Sequence, residues 1–451
     1  MDSASTFQIF TIAARNYLAY AFVLGESVLR HHPDATFSIF LVDDADRQWK
    51  SVIEGRGWRV IYPEDVPLYQ YRKLVFQYNL TEASTAVKPS IIQALVRRGA
   101  ETVIYLDPDI LCFRRFDEVL DALEKYDVVL TPHICSPAED DYYPGERGFL
   151  CNGVFNLGFV ALRASATVTR LLAWWAGHLE QECIQEQESG LFVDQKWMDL
   201  VPACFDGVYV MRSLAYNMAY WNLHERYVQE RDGRLHEIRS GDDLAFFHFS
   251  GMPLRDLDAV CKYAARNPLE GGASRKRYSL SSRPDLSIPF SRYRELLTLE
   301  NVEGFLKIPY AYSCYANGEK ITDLERSIYR TSECWRRRDE DPFKVGKDSF
   351  HSACRRAGVR PGAFSMKPSA QEAVAKYGVY MRILEFLLRC ALFLMGPEKY
   401  SQFIKYLRHQ LLLSNHSFLL GESVVRRMES TSAGAPQGAD GGMLPNGAKG
   451  D

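Results

Sequence analysis

The sequence predicts an α/β protein with a mostly parallel central sheet, flanked by helices and followed by a mainly helical C-terminal extension. Between residues 7 and 135, short apolar segments of strand character alternate with longer segments of helical periodicity, which is the pattern of a parallel α/β sheet. Helical periodicity returns over residues 369–428. The chain has 451 residues, 47% of them hydrophobic, so it is long enough to bury a large core and to form two or three domains.

The predicted elements alternate along the first 251 residues. Apolar runs short enough for buried strands lie at 7–14, 36–44, 58–63, 103–106, 127–133, 153–163, 206–211 and 244–251. Segments with an apolar stripe at helical spacing lie at 16–32, 82–98 and 117–125, and most of 165–200 is predicted to be helical as well. Lys88-Pro89 interrupts the second of these helices, because proline has no backbone N–H to donate.

The composition of the chain changes after the last predicted strand, and we expect four parts. Residues 1–260 form the sheet-bearing domain, 261–345 a linker with an accessory or acceptor-side segment, 346–429 a helical region and 430–451 a disordered tail. The linker is assigned because 267–287 is rich in Gly, Ser, Pro and basic residues. The tail is low in complexity and cannot bury enough apolar surface to offset the entropy lost on ordering.

The charge and cysteine content exclude several classes of protein. The 54 basic and 57 acidic residues nearly balance, whereas nucleic-acid-binding domains are usually strongly basic. The first residues lack the order of a secretory signal peptide, and no uncharged apolar run is long enough for a membrane span. The ten cysteines include no C-x-x-C pair, which argues against a zinc site or a disulfide framework. We therefore expect a soluble, cytoplasmic protein that binds no nucleic acid.

Two acidic residues directly follow the apolar strand 103–106. Asp107 and Asp109 flank Pro108 where the strand ends, and their negative charges repel each other. Ligands of open α/β sheets gather at the carboxyl ends of the strands. A D-x-D pair at such an end can hold Mg²⁺ or Mn²⁺, because these ions prefer oxygen ligands. An ordinary turn is the alternative, since Asp and Pro are both frequent in turns.

Three further groups of polar residues end or flank apolar strands. His248 ends an apolar run, where it would complete a metal site or would be a hydrogen-bonded core histidine. Asn152 and Asn156 lie near glycines beside a strand, where their amides suit either hydroxyl-rich ligands or a turn. Asp194-Gln195 opens a helix, so the carboxylate either serves the site or caps the helix.

In this order, the motifs resemble those of the metal-dependent glycosyltransferases of the GT-A fold, particularly family 8 and its bacterial relatives. The resemblance covers roughly residues 7–255 and depends on FTIAARNY, YLDPDI, FNLGF, the DQ pair and HFSG. It implies that residues 1–260 form a nucleotide-sugar-binding catalytic domain.

The resemblance also implies a role for each matching residue. The ligands of a Mn²⁺ or Mg²⁺ ion on the donor diphosphate would be Asp107, Asp109 and His248. The donor nucleotide would be bound by Thr11, Ala13, Asn16, Tyr17, Lys88, Asp107 and Arg255. The donor sugar and the acceptor would face the catalytic residues Asn156, Asp194 and Gln195. In family 8 a lysine follows the histidine by six positions, but Leu254 stands there in this chain, so Arg255 is expected to bind phosphate instead.

The expected activity is transfer of a sugar, with retention, from a nucleotide-sugar donor such as a UDP-sugar to a carbohydrate, lipid-linked or protein acceptor, as in the synthesis of bacterial surface polysaccharides or glycoconjugates. A metal-dependent nucleotidyltransferase is one alternative, but TIAARNYLAYA lacks the glycine-rich phosphate loop that would favour it. A catalytically inactive carbohydrate- or partner-binding protein is the other. Loss of an aspartate or of the histidine would favour that alternative, and all three residues are present.

The helical segment 378–413 carries basic residues among apolar ones, namely Arg382, Arg389, Lys399, Lys405 and Arg408. Packing of these helices against the catalytic domain is the favoured explanation. Contact with an anionic membrane surface, close to a lipid-linked acceptor, is the alternative. It would place the protein peripherally at the inner face of the membrane.

Overall fold

The computed structural model describes residues 6–68, 70–140, 142, 144–263, 277–360 and 370–420. Residues 267–276 of the predicted linker over 267–287 and the whole predicted tail over 430–451 lie outside these residues. The described residues divide into two compact units. The first takes its residues from 1–321, 341–343 and 366–378, and the second from 322–340, 344–365 and 379–451.

The strands of the first unit are mostly short. They are β1 (Phe7–Ala13), β2 (Thr36–Leu41), β3 (Arg59–Ile61), β4 (Thr102–Leu106), β5 (Ile110–Cys112), β6 (Val128–Pro132), β7 (Phe155–Arg163), β8 (Gln185–Glu186), β9 (Leu191–Phe192), β10 (Val208–Val210), β11 (Val228–Arg231), β12 (Arg234–Glu237) and β13 (Phe246–His248).

The helices of the first unit surround these strands. They are α1 (Leu18–His31), α2 (Lys50–Glu54), α3 (Tyr71–Gln77), α4 (Leu80–Ala86), α5 (Lys88–Arg97), α6 (Asp117–Lys125), α7 (Glu146–Asn152), α8 (Ala166–Leu179), α9 (Gln195–Met198), α10 (Val201–Cys204), α11 (Ser287–Leu299) and α12 (Val302–Phe305). The later helices are α13 (Asp323–Thr331), α14 (Glu333–Arg336), α15 (Phe350–Arg356) and α16 (Ala370–Gln410).

Seven strands form the central sheet, in the order β10-β6-β7-β4-β1-β2-β3. Strand β7 runs antiparallel to both of its neighbours, and the other neighbouring strands pair in parallel. Strand β4 therefore lies in the middle of the sheet, with β1 on one side and β7 on the other. This architecture confirms the predicted fold class, a mostly parallel α/β sheet flanked by helices.

Apolar residues cover both faces of the sheet, as parallel strands require. In β4, Val103, Ile104 and Leu106 have no exposed surface, and burying each side chain contributes roughly 1.5–3 kcal/mol. Helix α1 packs so closely on β2 that a Cβ atom at Gly25 would lie 2.6 Å from the ring of Phe37. This contact packs the second half of α1 against the beginning of β2, and the amino end of α1 follows the carboxyl end of β1 in the chain.

Two of the predicted helices are divided. The segment predicted at 82–98 forms α4 and α5, and Pro89 falls in the first turn of α5, where the missing N–H of proline costs no helical hydrogen bond. The segment predicted at 165–200 contains α8, which ends at Leu179, and then the hairpin β8–β9. Gly190 makes this hairpin possible because it adopts a φ of 76° in the turn.

The described part of the second unit is mainly helical, in line with the helical C-terminal extension of the predicted fold class. Helix α13 begins with a capping box, in which Thr322 and Glu325 each bind the backbone N–H of the other. Glu325 also accepts a hydrogen bond of 2.8 Å from Arg355 of α15. Helix α16 is interrupted at Gly396, which has a φ of 73°, just before Pro397. Among the described helices, none combines the length and the hydropathy that a membrane span requires.

Candidate active site

A turn, a pair of antiparallel strands and a backbone hydrogen bond bring the D-x-D pair next to His248. After β4, the chain turns through Asp107 and Asp109 and enters β5, with a hydrogen bond of 3.2 Å from the Ile110 N–H to the Asp107 carbonyl. Strand β13 pairs antiparallel with β5, so that His248 lies opposite Ile110. The Phe249 N–H then donates to the Asp109 carbonyl over 2.9 Å. Residues distant in the sequence thus meet at the carboxyl end of β4.

The three predicted metal ligands converge on one point. His248 Nε2 lies 3.0 Å from Asp109 Oδ1 and 3.6 Å from Asp107 Oδ2, and the three ligand atoms all lie within 4.8 Å of one another. Ligands about 2.1 Å from one ion are about 3 Å apart when they are adjacent in an octahedron. The spacing and the mixture of carboxylate and imidazole ligands therefore fit a divalent cation such as Mg²⁺ or Mn²⁺.

The environment of His248 is buried and acidic. Its side chain is 3% exposed. Burial acts to lower the pKa of His248, but the carboxylates of Asp109 and Asp107 outweigh burial and raise it. Two negative charges beside one imidazole make this a strong site for a cation.

Asp107 is oriented by two hydrogen bonds. Its backbone N–H donates to the Gly158 carbonyl over 2.8 Å, and its Oδ1 accepts from the Tyr105 hydroxyl over 2.5 Å. The other oxygen, Oδ2, is thereby directed towards His248. Burial raises the pKa of Asp107, and the positive charges of Lys88 and His248 oppose this rise.

Lys88 and Asp194 form a buried ion pair behind the D-x-D pair. Lys88 Nζ donates to Asp194 Oδ2 over 2.5 Å and to the Leu157 carbonyl over 2.8 Å, and it lies 4.1 Å from the centre of the Tyr105 ring. The side chains of Lys88 and Asp194 are 1% and 2% exposed. Asp194 precedes α9 as expected, but its side chain makes no capping hydrogen bond. Its carboxylate is therefore paired with Lys88 and not with the end of the helix, and its catalytic role stays a prediction.

All three predicted catalytic residues line one cavity of about 410 Å³. Asn156, Asp194 and Gln195 contribute to its wall, together with Asn152. The Gln195 amide is oriented by donating to the Asn152 carbonyl over 2.8 Å. The rest of the lining includes Lys88, Asp107, His248, Phe149, Tyr220 and Trp221. The cavity thus combines amides, aromatic rings and the edge of the metal triad.

A second cavity, of about 500 Å³, lies on the other side of the triad. It is lined by Asp109, Tyr17 and Arg255, and by the cations Lys262 and Lys307. Tyr17 stacks on Tyr20, with ring centres 4.6 Å apart. Asp107 and His248 line the first cavity and Asp109 lines the second, so a cation held by the triad would touch both.

The other predicted nucleotide-binding residues line neither of these two cavities. Thr11 and Ala13 are buried within β1, with 0% and 2% exposure. Asn16 is half-buried in the turn between β1 and α1, one position before Tyr17. Their assignment to the donor nucleotide stays a prediction.

Several residues of the site were not predicted. Tyr105 orients Asp107, the ring of Trp221 stands perpendicular to that of His248 at 5.2 Å, and His133 and Asn217 contact Asn156. Gly158 is the one with a sequence signal, because a glycine inside an apolar strand indicates a close approach. A Cβ atom there would lie 2.4 Å from His248 Cε1.

Residues 46–242 match the family model described as nucleotide-diphospho-sugar transferase. The matched segment includes Lys88, Asp107, Asp109, Asn156 and Asp194, whereas β1 and β13 lie outside it. The match confirms the resemblance to nucleotide-diphospho-sugar transferases and supports sugar transfer as the activity. Membership of family 8 itself stays a prediction.

Three individual proteins that resemble this chain have low sequence identity to it. The uncharacterized protein YfnD of Bacillus subtilis (strain 168) is 24% identical over 258 residues, which cover 55% of this chain and 79% of YfnD. The galactosyltransferase LgtC, solved with donor and acceptor sugar analogs, is 16% identical over 66% of this chain and 100% of its own, with a TM-score of 0.40. The glycosyltransferase GlyE of Streptococcus pneumoniae TIGR4 is 15% identical over 72% of each chain, with a TM-score of 0.35.

Proposed function

We propose that this protein transfers a sugar from a nucleotide-sugar donor, most simply a UDP-sugar, to a hydroxyl group of an acceptor, and that the reaction requires Mn²⁺ or Mg²⁺. The observation that carries the proposal is the convergence of Asp107, Asp109 and His248 between two cavities. One cavity is lined by three cations and two tyrosines, beside Asp109 and Glu303, and the cations and rings suit a nucleoside diphosphate. The other is lined by amides and aromatic rings, which suits a sugar and its acceptor.

The residues of the second cavity would bind the leaving group. Glycosyl transfer passes through an oxocarbenium-like transition state, while negative charge develops on the departing diphosphate. A divalent cation, when bound, would stabilise that charge as a Lewis acid. Arg255, Lys262 and Lys307 line the same cavity as Asp109 and would bind the phosphate oxygens, and the Tyr17 ring would stack on the base.

The residues of the first cavity would hold the donor sugar and the acceptor. The amide of Gln195 and the carboxylate of Asp194 face this cavity and are each held in place by a partner, Asn152 and Lys88 respectively. Fixed polar groups position an acceptor hydroxyl close to the anomeric carbon, which lowers the entropic part of the barrier. We propose that the configuration at the anomeric carbon of the transferred sugar is retained, in line with the resemblance to family 8. Determining which anomer the product contains tests this.

A donor screen tests the proposal directly. Thermal unfolding is followed with UDP-, GDP- and dTDP-sugars, each with and without Mn²⁺, and hydrolysis of the same donors is measured. A ligand that binds the folded state raises the melting temperature by mass action. We expect one nucleotide-sugar together with Mn²⁺ to raise it more than either alone, and the same donor to be hydrolysed slowly. Neither binding nor hydrolysis of any nucleotide-sugar would refute the proposed activity.

A further inference from the structure

We propose that His133 and Asn217 are positioning residues that act through Asn156 on His248. Together they hold the His248 imidazole with its Nδ1 protonated and its Nε2 facing the two carboxylates, and thereby set the affinity of the site for a divalent cation. The proposal rests on the metal site of the proposed function, and it gives Asn156 a structural task in addition to its place on the cavity wall.

The donor and acceptor of each hydrogen bond in this group can be assigned by starting from a backbone carbonyl. His133 Nδ1 lies 3.2 Å from the Val154 carbonyl oxygen, which can only accept, so Nδ1 carries the proton. Burial lowers the pKa of His133 to about 4, so the ring is neutral and its Nε2 is an acceptor. Asn156 Nδ2 lies 3.5 Å from that nitrogen and is therefore the donor. The orientation of the Asn156 amide follows from this contact.

The same orientation fixes the tautomer of His248. With Nδ2 of Asn156 directed to His133, its Oδ1 lies 3.2 Å from His248 Nδ1. An amide oxygen only accepts, so His248 Nδ1 must carry a proton. In the neutral ring, Nε2 then has a free lone pair, and this nitrogen lies 3.0 Å from Asp109. Without Asn156, the two carboxylates would favour a proton on Nε2, which would block binding of a cation there.

Asn217 holds Asn156 from a third side. Its Nδ2 donates to Asn156 Oδ1 over 3.2 Å and to Thr131 Oγ1 over 3.0 Å. With Asn217 oriented to donate to Thr131, a rotated Asn156 would bring two NH₂ groups together. Asn217 is adjacent to Met218, whose carbonyl accepts from the His248 N–H over 2.8 Å, so the two segments are also joined by their backbones.

Burial makes these contacts decisive. His133, Asn156, Asn217 and His248 are between 0% and 7% exposed, so the hydrogen bonds among them are weakly screened by solvent. Asn222 reinforces the group, because its Nδ2 donates to the backbone carbonyls of both His133 and Asn217. Hydrogen bonds to the second nitrogen of a metal-binding histidine commonly orient the ring and fix its tautomer.

The first experiment measures the tautomer in the metal-free protein. Long-range ¹H–¹⁵N spectra of ¹⁵N-histidine-labelled protein are recorded at alkaline pH, where the ring is neutral, and His248 is assigned by comparison with His248→Gln. We expect the Nδ1–H tautomer in the wild-type protein. The Nε2–H tautomer would overturn the proposal, and this outcome does not depend on whether the protein transfers sugars.

The second experiment measures Mn²⁺ affinity by electron paramagnetic resonance of the free ion. His133→Phe removes the acceptor, and Asn217→Asp replaces the donor while tolerating the φ of 56° found there. We expect each to weaken Mn²⁺ binding by about 10- to 100-fold, and His133→Gln, which restores an acceptor, to recover most of the loss. His236→Phe, at a histidine paired with Asp243, is the control.

Three results of this titration would count against the positioning role. They are unchanged affinity in both variants, an equal loss in the control, and no recovery with His133→Gln. If His133→Phe does not fold, Asn217→Asp and the wild-type spectrum still decide the question. If the wild-type protein binds neither Mn²⁺ nor Mg²⁺, the metal site of the proposed function fails, whereas the spectrum still tests the orientation of His248.

Discussion

Lys88 Nζ lies 2.5 Å from Asp194 Oδ2, and neither side chain is more than 2% exposed. A buried ion pair adds little stability over an apolar pair, but loss of one partner leaves the other charge without compensation. Burial raises the pKa of Asp194, and the Lys88 ammonium opposes this rise. The pair therefore matters both for the stability of the fold and for the charge on Asp194 at the cavity wall.

Lys88→Met should reduce the free energy of unfolding by about 3–5 kcal/mol near neutral pH. The pKa of Asp194 in the folded state should rise further above its unfolded-state value, so stability falls as the pH rises from the unfolded-state pKa to the raised folded-state pKa and levels off above it. The penalty should thus be small in acid and grow towards neutral pH. Urea unfolding across this range measures it. Lys125→Met, at an exposed lysine of α6, should show no such dependence.

Asp109→Asn should abolish both the Mn²⁺-dependent rise in melting temperature and sugar transfer, because it keeps the shape of the side chain but removes a charged ligand. His248→Ala should weaken Mn²⁺ binding and leave residual activity at high Mn²⁺ concentration, since two carboxylates remain. Asp121→Asn, at an exposed position on α6, is the control. A full Mn²⁺ response in Asp109→Asn would show that the ion binds elsewhere.

Tyr17→Ala should weaken binding of the donor nucleotide by about 1–3 kcal/mol, which is roughly 5- to 150-fold in the dissociation constant, because stacking of a base on an aromatic ring is lost. Tyr17→Phe keeps the ring and should retain the affinity. Tyr17 lines the cavity that also contains Arg255 and stacks on Tyr20. Isothermal titration with the nucleoside diphosphate in Mn²⁺ makes the comparison. Equal affinities in the alanine and wild-type proteins would exclude Tyr17 from the base site.

Gly158→Ala should displace His248, because the added Cβ atom would lie 2.4 Å from Cε1 and 2.8 Å from Nδ1 of the ring. Overpacking of this kind typically costs about 1–3 kcal/mol, and the shifted imidazole should bind Mn²⁺ more weakly. Gly177→Ala on α8 is a matched control, since nothing lies within 4 Å of the added atom. Differential scanning calorimetry and a Mn²⁺ titration separate the two effects. Wild-type affinity in Gly158→Ala would show that the ring has room to move.

The sequence predicts those residues of the site that lie at the ends of apolar strands. Asp107 and Asp109 directly follow an apolar strand and His248 ends another, and apolar runs with polar ends are visible in one dimension. The spacing does not reveal that β13 pairs with β5, which is what brings the histidine to the aspartates. The resemblance to known transferases, rather than periodicity, connected these residues.

The contacts that orient the ligands have no periodic signal. His133 and Asn217 are separated from Asn156 by 23 and 61 positions, and an isolated polar residue next to an apolar run is most often part of a turn or a satisfied core group. Pro89 indicated that the predicted helix at 82–98 is interrupted. The strands of the hairpin β8–β9 have only two residues each, which is too short for an alternating pattern in the sequence.

The pairing of β5 with β13 closes a long loop of the chain with a ladder of three residue pairs. Loop closure becomes only slowly more costly with length, about 0.6 kcal/mol for each doubling, so a short ladder can hold together segments that are far apart in the sequence. A cation bound by Asp107, Asp109 and His248 would be a second cross-link between the two ends of the same loop. Binding of the ion would therefore stabilise the pairing of β5 with β13. The amide proton of Phe249, which bonds to the Asp109 carbonyl, should then exchange with solvent more slowly when the ion is bound.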